Sequence, residues 1–190
     1  MSNYPLDKKM LEEEYGDLLI KAALREYAIG LGLGVVFAVV TGGIAVAAGK
    51  AKLFTGTAPG MLVLFLLGYL IQGMAEELLY RSYLMVTIAR RYSMTVAVLI
   101  SAVIGALPYA AGAVEAPLAF LNGMLFGIFA ALYLIRRGNI WGIGAFHAAW
   151  SFVRDIVFGT PDQVATAVVL LVGMILVGGK RPWGKAESCC

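Results

Sequence analysis

Met74-Ala75-Glu76-Glu77-Leu78-Leu79-Tyr80-Arg81 sets two carboxylates and a guanidinium inside Gly60–Ala89, a stretch otherwise nearly all apolar. An ionisable side chain at the centre of a bilayer costs about 2.5–3.5 kcal/mol even on the gentler insertion scale. Three together are paired, used, or held at the membrane interface with their charges snorkelling to water. On a helix Glu77 and Arg81 are four residues apart and share a face, so they can form an ion pair that lowers the cost of both. Glu76 lies about 100° around the same helix, with no cation in register. It is therefore the candidate general base or acid of the segment.

The rest of the chain agrees with a membrane setting. Of 190 residues, 61% are hydrophobic and 14% charged, against roughly 45–50% and about 25% in soluble domains. Mean hydropathy is +0.83. Disordered chains, coiled coils and ordinary soluble domains are excluded. The only cysteines, Cys189 and Cys190, end the chain, so there is no disulfide scaffold, and neither cysteine is fourth from the end as a C-a-a-X box requires. A net charge of +3 without a basic stripe gives no nucleic-acid partner.

A helix crossing a bilayer takes roughly 20 apolar residues. Six runs qualify as candidates: Ala28–Gly49, Gly60–Ala89 with its charged interruption, Ser93–Val114, Ala116–Ile135, Gly138–Val153 continuing to Gly159, and Gln163–Gly179. The expected fold is an all-α integral membrane protein, a bundle of about six transmembrane helices. Residues 1–27 are expected as a cytoplasmic amphipathic helix, 28–179 as the bundle and 180–190 as a cytoplasmic tail. Eleven Lys and Arg, among them Arg90, Arg91, Arg136 and Arg137, fall on one side of this drawing, against Lys50, Lys52 and Arg154 on the other. That bias puts both termini in the cytoplasm; the expected location is the cytoplasmic membrane of a prokaryote. Gly30/Gly34 and Gly123/Gly127 form G-x-x-x-G steps that let helix backbones approach closely.

His147, the only histidine, sits in Trp141-Gly-Ile-Gly-Ala-Phe-His-Ala-Ala-Trp150-Ser151. Taken alone, such a histidine serves packing or hydrogen bonding as readily as catalysis. Ser151, four residues on, shares its face. One histidine cannot anchor a standard zinc site, which wants three or four ligands, so neither a metal nor another cofactor is expected. No G-x-S-x-G elbow supports a Ser-His hydrolase.

Glu-Glu-x-x-x-Arg in one span, followed about 70 residues later by Phe-His-Ala-Ala-Trp in another, resembles the CAAX prenyl protease and bacteriocin-processing family, also called the Abi family. The resemblance covers roughly residues 62–159. It implies an intramembrane glutamic endopeptidase in which Glu76 activates the attacking water, Glu77 and Arg81 support it, and His147 helps bind the carbonyl oxygen. It also implies a wet, cytoplasm-facing pocket and a peptide or protein substrate, prenylated or a bacteriocin-like precursor, met in the lipid bilayer. Two positions depart from the family pattern. Gly105 and Tyr109 stand where an aromatic residue and a histidine are expected, and Ser151 stands where Asn or Asp is expected. Tyr109 can exchange a hydrogen bond but is a poor base at neutral pH. Two readings follow: an active endopeptidase, or a catalytically silent relative that binds a peptide or partner in immunity or assembly. A small transporter using the same charges is a third. In an ideal drawing Tyr109 and Glu76 lie at different depths, and they meet only if helices tilt or break, with Pro108 as the break point.

Overall fold

The apolar runs fold into helices, and polar caps end several of them. A computed structural model describes residues 8–53, 56, 58–111, 116–159 and 162–178. The expected cytoplasmic tail, with Cys189 and Cys190, lies outside the described residues. Among these residues there are six helices in an all-α bundle. Helix α1 is Lys8–Ala47 and α2 is Pro59–Ala89. Helix α3 is Met94–Ala110, its first turn capped by Ser93 Oγ, which accepts from Val96 N. Helix α4 is Ala116–Arg137. Helix α5 is Ile140–Phe152, capped by Asn139. Helix α6 is Gln163–Gly178, and Asp162 caps it by accepting from Ala165 N at 2.7 Å.

Two helices carry wide, π-helical turns. In α2 the α-helical part Pro59–Glu77 gives way to Leu78–Met85 before Val86–Ala89 closes the helix. Helix α5 runs on as a π-helical turn over Val153–Val157. Such turns frequently mark functional sites. The first begins directly after Glu77 and holds Arg81, which is buried.

Helix α5 is the centre of the bundle. Every residue from Gly142 to Trp150 is buried, and α1 and α2 pack against it. Small residues make this closeness possible. A Cβ on Gly34 would come within 2.9 Å of the Ala149 Cβ, and one on Gly73 within 2.8 Å of the Ala148 nitrogen. The step Gly123/Gly127 does the same between α4 and α3, where added Cβ atoms would meet Ala106 and Ala102. Phe37, Phe129, Phe146 and Trp150 fill the core, with Phe129 and Phe146 ring centroids 5.0 Å apart. Outward, Leu24, Ile71, Leu107 and Ile175 are exposed, as lipid-facing side chains are.

The expectation of about six transmembrane helices holds in part: the six helices are there, and they differ in length. Among the described residues three helices are long and apolar enough to cross a membrane: Leu18–Ala47 within α1, Pro59–Ala89 and Ala116–Arg137. The apolar stretches of α3 and α6, Met94–Tyr109 and Gln163–Gly178, are shorter, about 24 Å at the helical rise against a hydrocarbon core of about 30 Å. Helix α5 is apolar because protein surrounds it, so its length need not match the bilayer. At the N-terminal side α1 continues without a break across residues 27 and 28. The chain is an integral membrane protein.

The two ends of the bundle differ. At one, Arg137 Nε donates to Glu26 Oε2 at 2.9 Å, and Arg136 Nη1 donates to the last carbonyls of α6, Leu176 and Val177. At the other, Lys50 pairs with Asp162 at 3.1 Å.

Candidate active site

Glu76 and Glu77 end the α-helical part of α2, so their side chains leave in different directions. Glu77 is fully buried and points at α5. Its Oε1 lies 2.9 Å from His147 Nδ1, and its Oε2 lies 3.2 Å from Arg81 Nε. The Arg81 contact is an ion pair without an aligned hydrogen bond. Arg81 is itself 3% exposed and reaches over the Phe126 ring, 5.8 Å from its centroid. A buried carboxylate needs this much compensation, since desolvating it alone would cost several kcal/mol.

Glu76 is 26% exposed. Its Oε1 accepts from Gln72 Nε2 at 2.9 Å, one turn earlier on α2. Its Oε2 accepts from the Tyr109 hydroxyl at 2.9 Å and lies 3.8 Å from His147 Nε2. The Tyr109 oxygen is 3.3 Å from the same nitrogen. The three groups, from α2, α3 and α5, thus converge, although the ideal drawing sets Tyr109 and Glu76 at different depths. His147 is clamped between the two glutamates, one at each ring nitrogen. Phe126 packs against its ring at 4.5 Å between centroids.

The two carboxylates thus face different nitrogens of one imidazole. Among the described residues no three His, Cys, Asp or Glu side chains form a metal-holding group. What the arrangement offers is a partly exposed carboxylate, a hydroxyl donor and an imidazole nitrogen within reach of one reacting carbonyl.

Tyr109 and His147 open onto a cavity of about 220 Å³ that Ser151 also lines. Gln163 and Arg154 line it as well, so it lies towards the end of the bundle that holds Lys50 and Asp162. Ser151 makes no side-chain hydrogen bond among the described residues.

A model of the type II CAAX prenyl endopeptidase Rce1-like family matches residues 58–153, half of the chain, including every residue of this cluster. The chain belongs to that family. No curated protein sequence and no solved structure matches it. Within this Rce1-like domain the buried Glu77, Arg81 and His147 form the core of the cluster. Gly105, where the family pattern has an aromatic residue, faces the ring of Tyr80, which an added Cβ would touch at 3.4 Å. An aromatic side chain from α2 thus occupies the space beside α3.

The sequence reasoning missed Gln72, Phe126 and Asn122. Gln72 had a signal, since it stands four residues before Glu76 on the same helical face. Asn122 also had one, as the single amide side chain in the apolar run of α4, whereas Phe126 had none, being indistinguishable from other residues of an apolar helix.

Proposed function

We propose that the chain is an intramembrane endopeptidase that hydrolyses a peptide bond with a water activated by Glu76 and without a metal. The observation that carries this reading is the 3.8 Å approach of Glu76 Oε2 to His147 Nε2, bridged by the Tyr109 hydroxyl.

At rest the Tyr109 O–H is directed to Glu76. An entering peptide carbonyl takes that hydrogen bond, and the tyrosine becomes the donor to the carbonyl oxygen. Glu76 Oε2, released, accepts a proton from water as the water oxygen attacks the carbonyl carbon. The negative charge that develops on the carbonyl oxygen is met by Tyr109 O–H, with His147 beside it. The C–N bond then breaks and Glu76 returns the proton to the leaving amine nitrogen. Glu77 acts as a positioning residue by holding the imidazole at Nδ1, and Arg81 by pairing with Glu77, which leaves Nε2 on the side of Tyr109 and Glu76. Ser151 supplies a hydroxyl to the cavity wall. The substrate is a peptide segment that reaches the site within the bilayer, in keeping with the prenylated or precursor peptides of the family.

The test compares new N-termini by mass spectrometry in membranes carrying the wild-type chain or Glu76→Gln. Cleavage products present with the wild type and absent with the variant are expected. Identical products in both would overturn the reading.

One observation favours a second reading, the catalytically silent relative. The Tyr109 hydroxyl occupies the space between Glu76 and His147 where a water would be held. A silent relative would keep its binding phenotype in Glu76→Gln.

A further inference from the structure

The cavity contains polar groups that the hydrolysis does not use. Asn122 Oδ1, Trp150 Nε1 and Thr166 Oγ1 are buried without a hydrogen-bond partner among the described residues, and all three residues line it. The Asn122 amide orientation is fixed by its neighbours. Nδ2 donates to the Gln163 backbone carbonyl at 2.8 Å and to Gln163 Oε1 at 2.6 Å, which leaves Oδ1 as the spare acceptor. The three atoms are themselves covered by their neighbours, so these residues form the cavity wall without turning their spare groups to its free space.

Arg154 lines the same cavity. Its Nε and Nη2 donate to Asp155 Oδ1 and Oδ2 at 2.7 and 3.3 Å. Asp155 Oδ2 also accepts from the Tyr69 hydroxyl at 3.1 Å. One edge of the guanidinium is thus held in place, from a carboxylate that is itself tied to α2. A guanidinium has five N–H donors, and Nη1 makes no hydrogen bond among the described residues. A planar donor edge held in this way suits a carboxylate.

We infer that Arg154, oriented by Asp155 and Tyr69, is a specificity residue that binds a carboxylate of the substrate peptide. Arg154 lies just beyond the residues that match the family. In calling the ligand a substrate, the inference rests on the endopeptidase reading; the binding itself requires no catalysis. At about 220 Å³ the cavity is smaller than the roughly 300–1,000 Å³ of sites for drug-sized ligands. It therefore suits the one or two residues of a peptide that carry the carboxylate, the rest lying outside. The carboxylate belongs either to a chain terminus or to an acidic side chain.

The test uses the detergent-purified full chain and three peptides in calorimetry: N-acetyl-Ala-Ala-Leu as the free acid, the same peptide as its C-terminal amide, and N-acetyl-Ala-Glu-Leu amide. The free acid, the glutamate peptide or both should bind about tenfold or more tightly than the neutral amide. Which of them does so assigns the carboxylate to the terminus or to the side chain. The preference should vanish in Arg154→Gln, weaken in Asp155→Asn and persist in Glu76→Gln. Equal binding of all three peptides, no binding of any, or a preference kept in Arg154→Gln would overturn the inference. Where Arg154→Gln fails to fold, the weakening expected in Asp155→Asn decides the matter. If Glu76→Gln leaves cleavage unchanged while the preference persists, the endopeptidase reading falls and the anion subsite stands.

Discussion

The Tyr109 hydroxyl donates to Glu76 Oε2 at 2.9 Å, joining the ends of two segments that are 33 residues apart in the chain. Its position decides the chemistry, because it also lies 3.3 Å from His147. Tyr109→Phe removes the donor while keeping the ring. The endopeptidase reading expects a fall in kcat of about 10²–10³, the usual effect of losing one oxyanion donor, with KM little changed. Single-turnover cleavage of a substrate found by N-terminal mass spectrometry measures both. An unchanged kcat would remove Tyr109 from the mechanism.

Glu77 and Arg81 test the interior. Removing one member of a buried pair leaves the other uncompensated, at a cost of about 3–5 kcal/mol. Arg81→Leu should therefore lower the thermal unfolding midpoint in detergent sharply. Glu76→Gln should lower it little, because Glu76 is 26% exposed. A similar midpoint for both variants would mean that the Glu77–Arg81 contact at 3.2 Å adds nothing to stability.

The glycine steps give a matched pair. A Cβ on Gly127 would stand 2.8 Å from the Ala102 Cα and 3.1 Å from Arg81 Nη2, whereas one on Gly43 meets nothing within 4 Å. Gly127→Ala should cost about 1–3 kcal/mol by overpacking. Gly43→Ala should be neutral or slightly stabilising, since alanine is the better helix former. Unfolding midpoints of the two variants check this directly.

Much of the cluster was legible because it obeys helical spacing. Glu77 and Arg81 four residues apart, and small residues at four-residue steps, are local patterns that survive any tertiary arrangement. The depth of Tyr109 was not legible, because it depends on how α2 tilts and on its π-helical stretch Leu78–Met85, for which the sequence carries no signal. The lengths of the helices were less legible. Hydropathy does not distinguish a side chain facing lipid from one facing other helices, so the sequence did not tell the buried helix Gly142–Trp150 from those whose sides are exposed.

Asp162 predicts a pH dependence outside the membrane-spanning segments. The Ala165 backbone N–H, followed by Lys50, holds its carboxyl below the usual carboxylate range. A group with a lowered folded-state pKa contributes stability above its unfolded pKa and loses it as pH falls through the folded value. The cap should therefore weaken only in strongly acidic solution. Asp162→Ala should cost about 1 kcal/mol at pH 7, and Asp162→Asn less, since it keeps an acceptor. Below the folded pKa the wild type and Asp162→Asn should converge in unfolding midpoint. A gap that persists there would show that the carboxylate charge is not what the cap contributes.

The cavity also sets a question of sidedness. It lies towards the end that carries Lys50 and Asp162, while Arg136 and Arg137 hold the opposite end. The charge bias expects Arg90, Arg91, Arg136 and Arg137 in the cytoplasm, and on that expectation the cavity opens on the outer face. The charge bias and a cytoplasm-facing pocket, both expected from the sequence, thus exclude each other. Single cysteines decide between them in a background where Cys189 and Cys190 are serine. Gly56→Cys marks the loop on the Lys50 side, and Tyr92→Cys, at an exposed position between α2 and α3, marks the arginine side. A membrane-impermeant maleimide applied to intact spheroplasts should label Gly56→Cys at once and Tyr92→Cys only after permeabilisation. The reverse pattern would turn the cavity to the cytoplasm and show that pairing within the bundle, as between Arg137 and Glu26, had removed arginines from the charge count that orients the chain.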